Sequence, residues 1–489
     1  MSANVRFKLL GIVNRGEAAM RCIRTVKALR NREGSELATL ALYTPVDRDA
    51  PFVRHADRAV PLPVRTTAVA AYLDRELLVE TLLEAGADAV WPGWGFVAED
   101  PLFVERLEDA GIRFLGPSPQ AMRRLGDKIS SKRIAESLGI PVTPWSGGPL
   151  ADAESALRAA EELGYPVVIK ASAGGGGRGI RMVDDASSLV EKFRSAASEA
   201  ASAFGDGRLF LERKVSGGRH VEVQVAADLQ GHVMALGCRD CSVQRRHQKV
   251  VEEAPPPGIS RELDGRLRAT AEAVALEVGY AGVGTVEFLV EGERFHFLEM
   301  NPRLQVEHGI TEEITGLDLV EIQIRIARGE PLAGLGFEER GAAIEVRICA
   351  EDPEAGFLPS PGRIARFDPA LGPGVRLDTG VTSGSVVPRD FDSLIAKLIA
   401  TGANREEARA RMIAALEDFD LVVEGGATNK SFLVEILKSP EYRRGGVDTA
   451  WLDRFAAGGA PPFAIEGLVA AAILIYQRNR RDALANFYA

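Results

Sequence analysis

Short apolar runs alternate with helical periodicity in the first part of the chain. Residues 7–13, 37–43 and 87–91 are apolar and short enough for strands, and small and apolar residues recur at helical spacing over 17–26. This alternation predicts a parallel sheet with helices on its faces. A dinucleotide fold has the same pattern, but no G-x-G-x-x-G follows the first run, so we expect no nicotinamide site.

Glycine and proline divide the rest of the chain. A helix is expected over 129–138, and Gly139 and Pro141 mark its end. The pattern predicts an α/β and α+β protein. It divides into a Rossmann-like lobe at 1–116, a helical linker at 117–141, a glycine-rich mobile lid at 142–214, a larger C-terminal lobe at 215–456, and a linker with a final helix at 457–489.

Composition and charge narrow the functional classes. Hydrophobic residues make up 46% and charged residues 26%, which is typical of a globular protein. A chain of 489 residues is too long to fold around one compact core, so we expect several lobes. The formal net charge of −10 opposes binding to nucleic acid or an anionic membrane. Any phosphate site must therefore be a local basic pocket.

Four cysteines and the lack of an apolar N-terminal core predict a reducing, cytoplasmic location. Cys238 and Cys241 have C-x-x-C spacing, but no second Cys/His pair lies at zinc-finger spacing, which favours a structural thiol pair over zinc. The apolar run at 468–475 is far shorter than the roughly 20 residues of a spanning helix. We therefore expect no membrane segment.

A glycine run follows a β-prone segment at 165–172. Lys170 falls late in that segment, and Gly174, Gly175, Gly176 and Gly177 follow it. Glycine backbones approach phosphate oxygens closely and their N–H groups bind anions, while the lysine adds a positive charge. Taken alone, the run fits a flexible surface loop better, and no Walker A motif follows.

Two β-prone runs flank residues 291–294 and predict a hairpin that places Glu287 opposite Glu299. Asn301 lies two residues after Glu299 and shares its face. Two carboxylates and an amide oxygen suit Mg²⁺, which still binds ATP phosphates. The alternative is a solvated face with paired charges.

If the backbone stays extended after Asn301, Arg303, Gln305 and Glu307 line up on one edge. A cation, an amide and a carboxylate there could hold a small oxyanion beside a base. The alternative is an exposed edge strand whose polar residues prevent aggregation.

A basic cluster stands out in this acidic chain, at Arg239, Arg245, Arg246, His247 and Lys249. Nucleic-acid binding is disfavoured because aromatic residues are not interleaved with the cations. The cluster therefore predicts a pocket for phosphate or carbonate.

These segments together resemble the biotin carboxylase component of biotin-dependent carboxylases, from near the start to about residue 456. The matching strings are NRGEAAMR (14–21), GDKISSK (126–132), VVIKASAGGGGRGIR (167–181), RHVEVQV (219–225), RDCSVQRRHQKVVEEAP (239–255), EMNPRLQVEH (299–308) and EVRICAEDP (345–353). The resemblance implies an ATP-grasp fold with a Rossmann-like first lobe and a mobile lid.

The resemblance also implies residue roles. Nucleotide binding is implied for Lys128, Lys170, Gly174, Gly175, Gly176, Gly177, Glu212, Val215, His220, Gln244 and His247, with Glu212 at the adenine amino group. Metal ligation is implied for Glu287 and Glu299, with Asn301 beside them. The implied bicarbonate pocket is Lys249, Arg303, Gln305 and Val306; Glu307 is the implied general base, and Arg347 steadies the biotin enolate.

The implied reaction uses ATP, Mg²⁺ or Mn²⁺ and bicarbonate to carboxylate biotin. Glu307 deprotonates bicarbonate, which attacks the γ-phosphate; carboxyphosphate then releases CO₂ and phosphate, and the phosphate removes the biotin ureido proton. Implied partners are a biotin carboxyl carrier domain and a carboxyltransferase domain of an acyl-CoA carboxylase, in the same longer chain or as separate subunits. A homodimer or larger homo-oligomer is also implied.

Two other functions are weighed against this one. Another ATP-grasp ligase would share the lid and metal pair but not the pocket at 239–255 and 303–307, and a silent assembly module would not need the intact catalytic set.

The chain departs from the usual family pattern at two positions, where Trp94 replaces a tyrosine and Gly309 replaces a proline. No lysine is flanked by methionines as in a biotin acceptor, so we expect this chain to be an excised module of a larger carboxylase.

Overall fold

A computed structural model of the chain describes residues 6–173, 179–215 and 217–458, together with Ile473, Tyr476, Gln477 and Arg480. The final helix expected in 457–489 lies largely outside the described residues, and so does the glycine run at 174–177. Within the described part, no helix is both long and apolar enough to cross a membrane.

The first lobe contains a five-stranded parallel sheet of order β3-β2-β1-β4-β5, as the apolar runs predict. All four residues of β1 are buried, because helices cover both faces of the sheet. Its elements are β1 (Leu9–Ile12), α1 (Gly16–Glu33), β2 (Ala38–Tyr43), a 3-10 turn (Pro45–Asp47), α2 (Pro51–His55), β3 (Arg58–Pro61), α3 (Ala68–Leu73), α4 (Arg75–Ala85), β4 (Ala89–Trp91), α5 (Pro101–Asp109) and β5 (Arg113–Phe114).

Two helices lead from the first lobe to a small antiparallel sheet of order β7-β6-β8. Asp127 ends one helix and caps the next by accepting a hydrogen bond from the Ser130 N–H. The elements are α6 (Pro119–Gly126), α7 (Lys128–Ser137), α8 (Ala153–Leu163), β6 (Val167–Ala171), β7 (Ile180–Val183), α9 (Ala186–Phe204) and β8 (Leu209–Arg213).

An eight-stranded antiparallel sheet, of order β13-β12-β9-β10-β11-β14-β19-β18, organises the rest of the described chain. The elements are β9 (Arg219–Ala227), β10 (Val233–Arg245), β11 (Gln248–Ala254), α10 (Arg261–Glu277), β12 (Gly282–Glu291), β13 (Arg294–Asn301), α11 (His308–Thr315), α12 (Leu319–Ala327), β14 (Ala342–Cys349), β15 (Glu351–Asp352), β16 (Leu358–Pro359), β17 (Arg363–Asp368), β18 (Val375–Thr379), β19 (Leu394–Gly402), α13 (Arg405–Asp418), β20 (Asp420–Glu424), α14 (Lys430–Lys438), α15 (Pro440–Arg444) and α16 (Trp451–Ala457).

The alternation along β9 shows why this sheet has one apolar and one polar face. Val221, Val223 and Val225 pack into an apolar cluster with residues of α10. The intervening His220, Glu222 and Gln224 are also buried, and their side chains take part in polar contacts. Since buried polar groups need partners, the residues that pair with them gather on this second face.

Candidate active site

The predicted hairpin forms, and it brings two carboxylates together. Strands β12 and β13 pair with Glu287 directly opposite Glu299, and Gly292 in the turn has a positive φ of 60°. The Asn301 amide donates to Glu287 at 2.9 Å. Three cations surround the pair: His220 and Lys249 lie 3.2 and 3.1 Å from Glu287, and Lys128 contacts Glu299. The hairpin is therefore not a solvated face.

The electrostatics of Glu287 reflect its cationic neighbours. Burial alone would raise the pKa of Glu287, but Lys249 and His220 outweigh burial and lower it to about 2. The carboxylate thus stays ionised at neutral pH. Glu287, Glu299 and the Asn301 amide oxygen are hard oxygen donors of the kind that Mg²⁺ prefers, so this residue set fits a divalent cation.

The chain does not stay extended after Asn301, so Arg303, Gln305 and Glu307 do not line up along one strand edge. Strand β13 ends at Asn301, the next residues bend, and α11 begins at His308 directly after Glu307. The Glu307 side chain is completely buried, which also excludes the exposed-edge alternative. Its carboxylate accepts hydrogen bonds from Lys249 at 2.6 Å and from Arg347 at 2.8 Å.

The loop before Glu307 leaves donors available. Gln305 is buried, and within the described residues its Nε2 has no hydrogen-bond partner. Arg303 lies 3.1 Å from Glu99. Burial opposes the charged form of Arg303, but the carboxylates of Glu99, Glu307 and Glu287 raise its pKa. An unpaired buried amide donor beside an arginine favours a small oxyanion as its ligand.

Arg347 bridges two buried carboxylates. Its guanidinium donates to Glu252 at 2.7 Å as well as to Glu307. Burial raises the pKa of Glu252 to about 7, although Arg347 acts in the opposite direction. Arg347 is therefore fixed at the base of the site by two partners.

The lid carries a second cluster, at Lys170. Its ammonium lies 2.5 Å from one oxygen of Glu212, and the fully buried Lys132 lies 2.8 Å from the other. Burial would raise the pKa of Glu212, but the two lysines lower it to about 2. Both oxygens of the Glu212 carboxylate are therefore occupied by these lysines.

Three further expected nucleotide residues lie in β10, in the turn that follows it, and just after β8. Gln244 is buried in β10 and pairs in register with Lys249 of β11. His247 occupies the turn between those strands with a φ of 66°; burial and then Lys170 lower its pKa. Val215 follows β8.

The basic cluster does not form one pocket. Arg239 is completely buried, and its guanidinium binds Glu222, Gln224, Thr311 and Thr285. Arg245 stacks on Phe357, with its guanidinium carbon 4.1 Å from the ring centre. The prediction of a shared phosphate or carbonate pocket is therefore wrong for these two arginines, because buried or aromatic partners already hold them.

The two neighbouring cysteines face different surroundings within β10, which runs as a strand through both. Cys238 packs in the cluster with α10, whereas the Cys241 sulfur lies near the carboxylates of Glu222 and Glu307. Both are free thiols in the described structure, and because they lie in different surroundings they form neither the expected structural thiol pair nor a zinc ligand pair.

Sequence reasoning did not single out Glu222, Glu252 or Lys132. Glu222 binds both Arg239 and Lys249, the latter at 2.5 Å. Its signal was present in RHVEVQV, where every second residue is polar in an otherwise apolar strand. A Cβ at Gly309, which replaces a usual proline, would lie 2.5 Å from the terminal carbon of the Ile399 side chain, so that side chain would have to shift.

Three family models match the chain in succession. The biotin carboxylase N-terminal domain matches residues 6–122, the carbamoyl-phosphate synthase L chain ATP-binding domain matches 127–335, and the biotin carboxylase C-terminal domain matches 345–454. Together they cover most of the described chain, from β1 into α16.

Individual relatives agree. The biotin carboxylase of Pseudomonas aeruginosa is 43% identical over 91% of this chain and 97% of its own length. Pyruvate carboxylase 1 of Caenorhabditis elegans is 42% identical over 91% of this chain, which spans 38% of that longer relative.

A solved structure has the same fold. It is the biotin carboxylase domain dimer of the Hydrogenobacter thermophilus 2-oxoglutarate carboxylase, in complex with MgADP, ADP and bicarbonate. It superposes with a TM-score of 0.88 at 41% identity, covering 92% of this chain and 98% of that one. The chain belongs to the biotin carboxylase family, whose members are ATP-dependent carboxylases of the ATP-grasp type.

Proposed function

We propose that the chain carboxylates a carrier-bound biotin by means of Glu307, Lys249, Arg303 and Arg347, using ATP and bicarbonate. The observation that carries the assignment is the fully buried Glu307 carboxylate, which lies between two cations. Two positions earlier, the buried Gln305 amide nitrogen has no hydrogen-bond partner among the described residues. A buried base on the same loop as an anion donor without a partner suits a bicarbonate ion that must lose its proton before it attacks a phosphate.

Nucleotide binding is assigned to the lid and to the hairpin face. Lys128 and Lys170 bind the phosphates, and the backbone after Glu212 holds the base, with Val215, His220, Gln244 and His247 around it. The resemblance assigns the glycine run at 174–177 to phosphate binding as well. Glu287, Glu299 and Asn301 would hold Mg²⁺ or Mn²⁺, which offsets phosphate charge when bound.

In the first half-reaction, Arg303, Gln305 and the Val306 N–H orient bicarbonate, and Glu307 takes its proton. The bicarbonate oxygen then attacks the γ-phosphate, giving carboxyphosphate and ADP. Lys249 and Arg347 hold both oxygens of Glu307, so its orientation is set before the substrate arrives.

In the second half-reaction, carboxyphosphate yields CO₂ and phosphate, and the phosphate takes the biotin ureido proton. Arg347 stabilises the enolate oxygen that results, and the enolate captures CO₂. The contacts from Arg347 to Glu252 and Glu307 support this role, because they fix the guanidinium inside the same pocket as the base.

Phosphate release with and without bicarbonate and free biotin tests the proposal. We expect Mg²⁺- and bicarbonate-dependent ATP cleavage that biotin increases. Stimulation by ammonia or an amino acid, and none by bicarbonate, would indicate another ATP-grasp ligase. No ATP turnover under any of these conditions would indicate a silent assembly module.

The partners follow from the same role. Relatives of this chain include separate biotin carboxylases and longer carboxylases, and one is a biotin-dependent acyl-coenzyme A carboxylase alpha3 subunit, 43% identical over 92% of this chain. A biotin carrier domain and a carboxyltransferase domain of an acyl-CoA carboxylase, in one chain or as separate subunits, are therefore the proposed partners. A homodimer is the proposed assembly, since a solved relative is described as a dimer.

A further inference from the structure

One fully buried lysine contacts the backbone of the loop that carries the base. Lys397 lies in β19 with no exposed surface, and its ammonium donates to the Val306 carbonyl at 2.6 Å. Val306 immediately precedes Glu307. None of the residue roles proposed for nucleotide, metal, bicarbonate or biotin binding requires a buried cation at this position.

The sheet register places this lysine beside Arg347. Strands β14 and β19 pair with Arg347 directly opposite Lys397. Arg347 binds the side chain of Glu307, and Lys397 binds the carbonyl one residue earlier. Two adjacent side chains of one sheet therefore hold consecutive residues of the same loop.

Side chains, rather than a strand partner, support the loop from 304 to 306. Arg303 donates to the Leu304 carbonyl at 3.3 Å, and His308 Nδ1 lies 2.9 Å from the Gln305 carbonyl. Burial and Lys397 lower the pKa of His308 to about 3, so its neutral ring donates through Nδ1. Lys397 supplies the third of these contacts, and it is the one nearest the base.

The surroundings of Lys397 keep it cationic. Burial opposes the charged form, but Glu17 and Glu345 raise the pKa of Lys397. Glu17 lies 3.0 Å from the ammonium, and the ring of Trp94, which replaces a usual tyrosine, is centred 5.3 Å away. A simple core ion pair with Glu17 would not require the hydrogen bond to Val306.

We propose that Lys397 is a positioning residue that fixes the Val306–Glu307 peptide and so sets the bicarbonate pocket. The proposal rests on the proposed function, because it assigns that loop to bicarbonate. Lys397 touches neither nucleotide residues of the lid nor the paired glutamates of the hairpin in the described contacts. Its loss should therefore affect bicarbonate more than ATP.

The test uses Lys397→Met in the full chain. The KM for bicarbonate should rise on the order of tenfold to a hundredfold, as expected when reacting groups are misplaced. The KM for ATP should change by no more than about twofold, since Lys170 and Glu212 lie on other elements. Amide hydrogen exchange over 303–310 should become faster.

Lys430→Met is the matched control, because Lys430 also donates to a backbone carbonyl, that of Phe419 at 2.7 Å. It should leave the bicarbonate KM and the exchange over 303–310 unchanged.

A double variant separates positioning from simple charge balance. Lys397→Met leaves Glu17 buried without its nearest cation, which can unfold the protein. Glu17→Gln/Lys397→Met removes that carboxylate and should fold while keeping the raised bicarbonate KM and the faster exchange. Wild-type values of both in the double variant would overturn the proposal. If the wild-type enzyme shows no bicarbonate-dependent turnover, the proposed function is overturned. Even then, amide exchange over 303–310 in the Lys397 variants would still show whether Lys397 holds this loop.

Discussion

The Lys249 ammonium donates to the Glu307 carboxylate at 2.6 Å, although 58 positions separate the two residues. Lys249 reaches across from β11, and Glu307 stands at the start of α11. The same ammonium contacts Glu222 and Glu287, so the proposed base and the proposed metal pair share one cation. Burial opposes this charge, but the three carboxylates hold the pKa of Lys249 well above its ordinary value.

Glu307→Gln should abolish bicarbonate-driven turnover. An amide keeps the shape of the side chain but cannot accept the bicarbonate proton, so the loss should be about 10²- to 10⁴-fold in both ATP cleavage and biotin carboxylation. Glu313→Gln, six residues further along the chain in α11, is the control and should leave the kcat unchanged. Bicarbonate-dependent phosphate release is the measurement, and a wild-type rate would remove Glu307 from the mechanism.

Arg347→Ala should separate the half-reactions. Removing the guanidinium takes away the enolate partner, while Lys249 still holds Glu307. Carboxylation of biotin should therefore fall at least about tenfold further than bicarbonate-dependent ATP cleavage. Arg363→Ala, an exposed arginine of β17, is the control. Equal losses in both half-reactions would contradict the division of roles between Glu307 and Arg347.

Local patterns predicted the parts of the site that are local in the chain. Glu287 and Glu299 belong to one hairpin whose turn is readable at Gly292, so their pairing follows from strand period and turn position. The line from Arg303 to Glu307 failed because that argument assumed an unbroken strand, whereas the chain bends and starts α11. Arg303 and Glu307 nevertheless lie close enough for the Glu307 carboxylate to raise the pKa of Arg303.

Long-range partners could not be derived in this way. Arg347 meets Glu307 across 40 positions, and Arg239 meets Glu222 only because β9 and β10 are neighbours in the sheet. Sequence spacing does not distinguish a buried, neutralised arginine from one that lines a pocket. The role proposed for Arg347 comes from the resemblance, which gave no indication that Arg239 is buried.

Glu299→Gln should weaken metal-dependent turnover. One negative charge is lost from a set that would hold a divalent cation against polyphosphate, so the Mg²⁺ concentration for half-maximal activity should rise at least about tenfold. Lys128 also loses its ionic partner, and the KM for ATP should be measured in the same series. Glu291→Gln at the turn end of the same hairpin is the control. An unchanged Mg²⁺ dependence would mean that Glu299 is not a ligand.

Glu252 should impose a pH dependence on stability. Its folded-state pKa of about 7, raised by burial, exceeds the ordinary 4.5 of a glutamate. Between these values the folded protein holds a proton that the unfolded chain has released, so Glu252 lowers stability as pH rises through this window. Glu252→Gln stays neutral, and its stability relative to wild type should increase from pH 5 to pH 8, with about 1.4 kcal/mol for each pKa unit.

Urea unfolding of both proteins at several pH values measures this difference. Glu424→Gln, whose carboxylate is exposed, should track wild type throughout. A constant offset between Glu252→Gln and wild type from pH 5 to pH 8 would show that Glu252 does not titrate in this range.

Presentation of biotin on a carrier domain should accelerate the second half-reaction. Free biotin must bind the Arg347 pocket by itself, whereas a tethered carrier raises the local biotin concentration into the millimolar range. We expect slow carboxylation of free biotin and turnover at least about a hundredfold faster, at equal total biotin, with a biotinylated carrier domain fused after residue 489 by a flexible linker.

A fusion whose acceptor lysine is replaced by arginine controls for the added domain. ATP cleavage driven by bicarbonate alone should be the same in all three proteins, because Glu307 and Lys249 act before biotin enters. Equal carboxylation rates for free and tethered biotin would show that the pocket recognises biotin alone and gains nothing from a carrier.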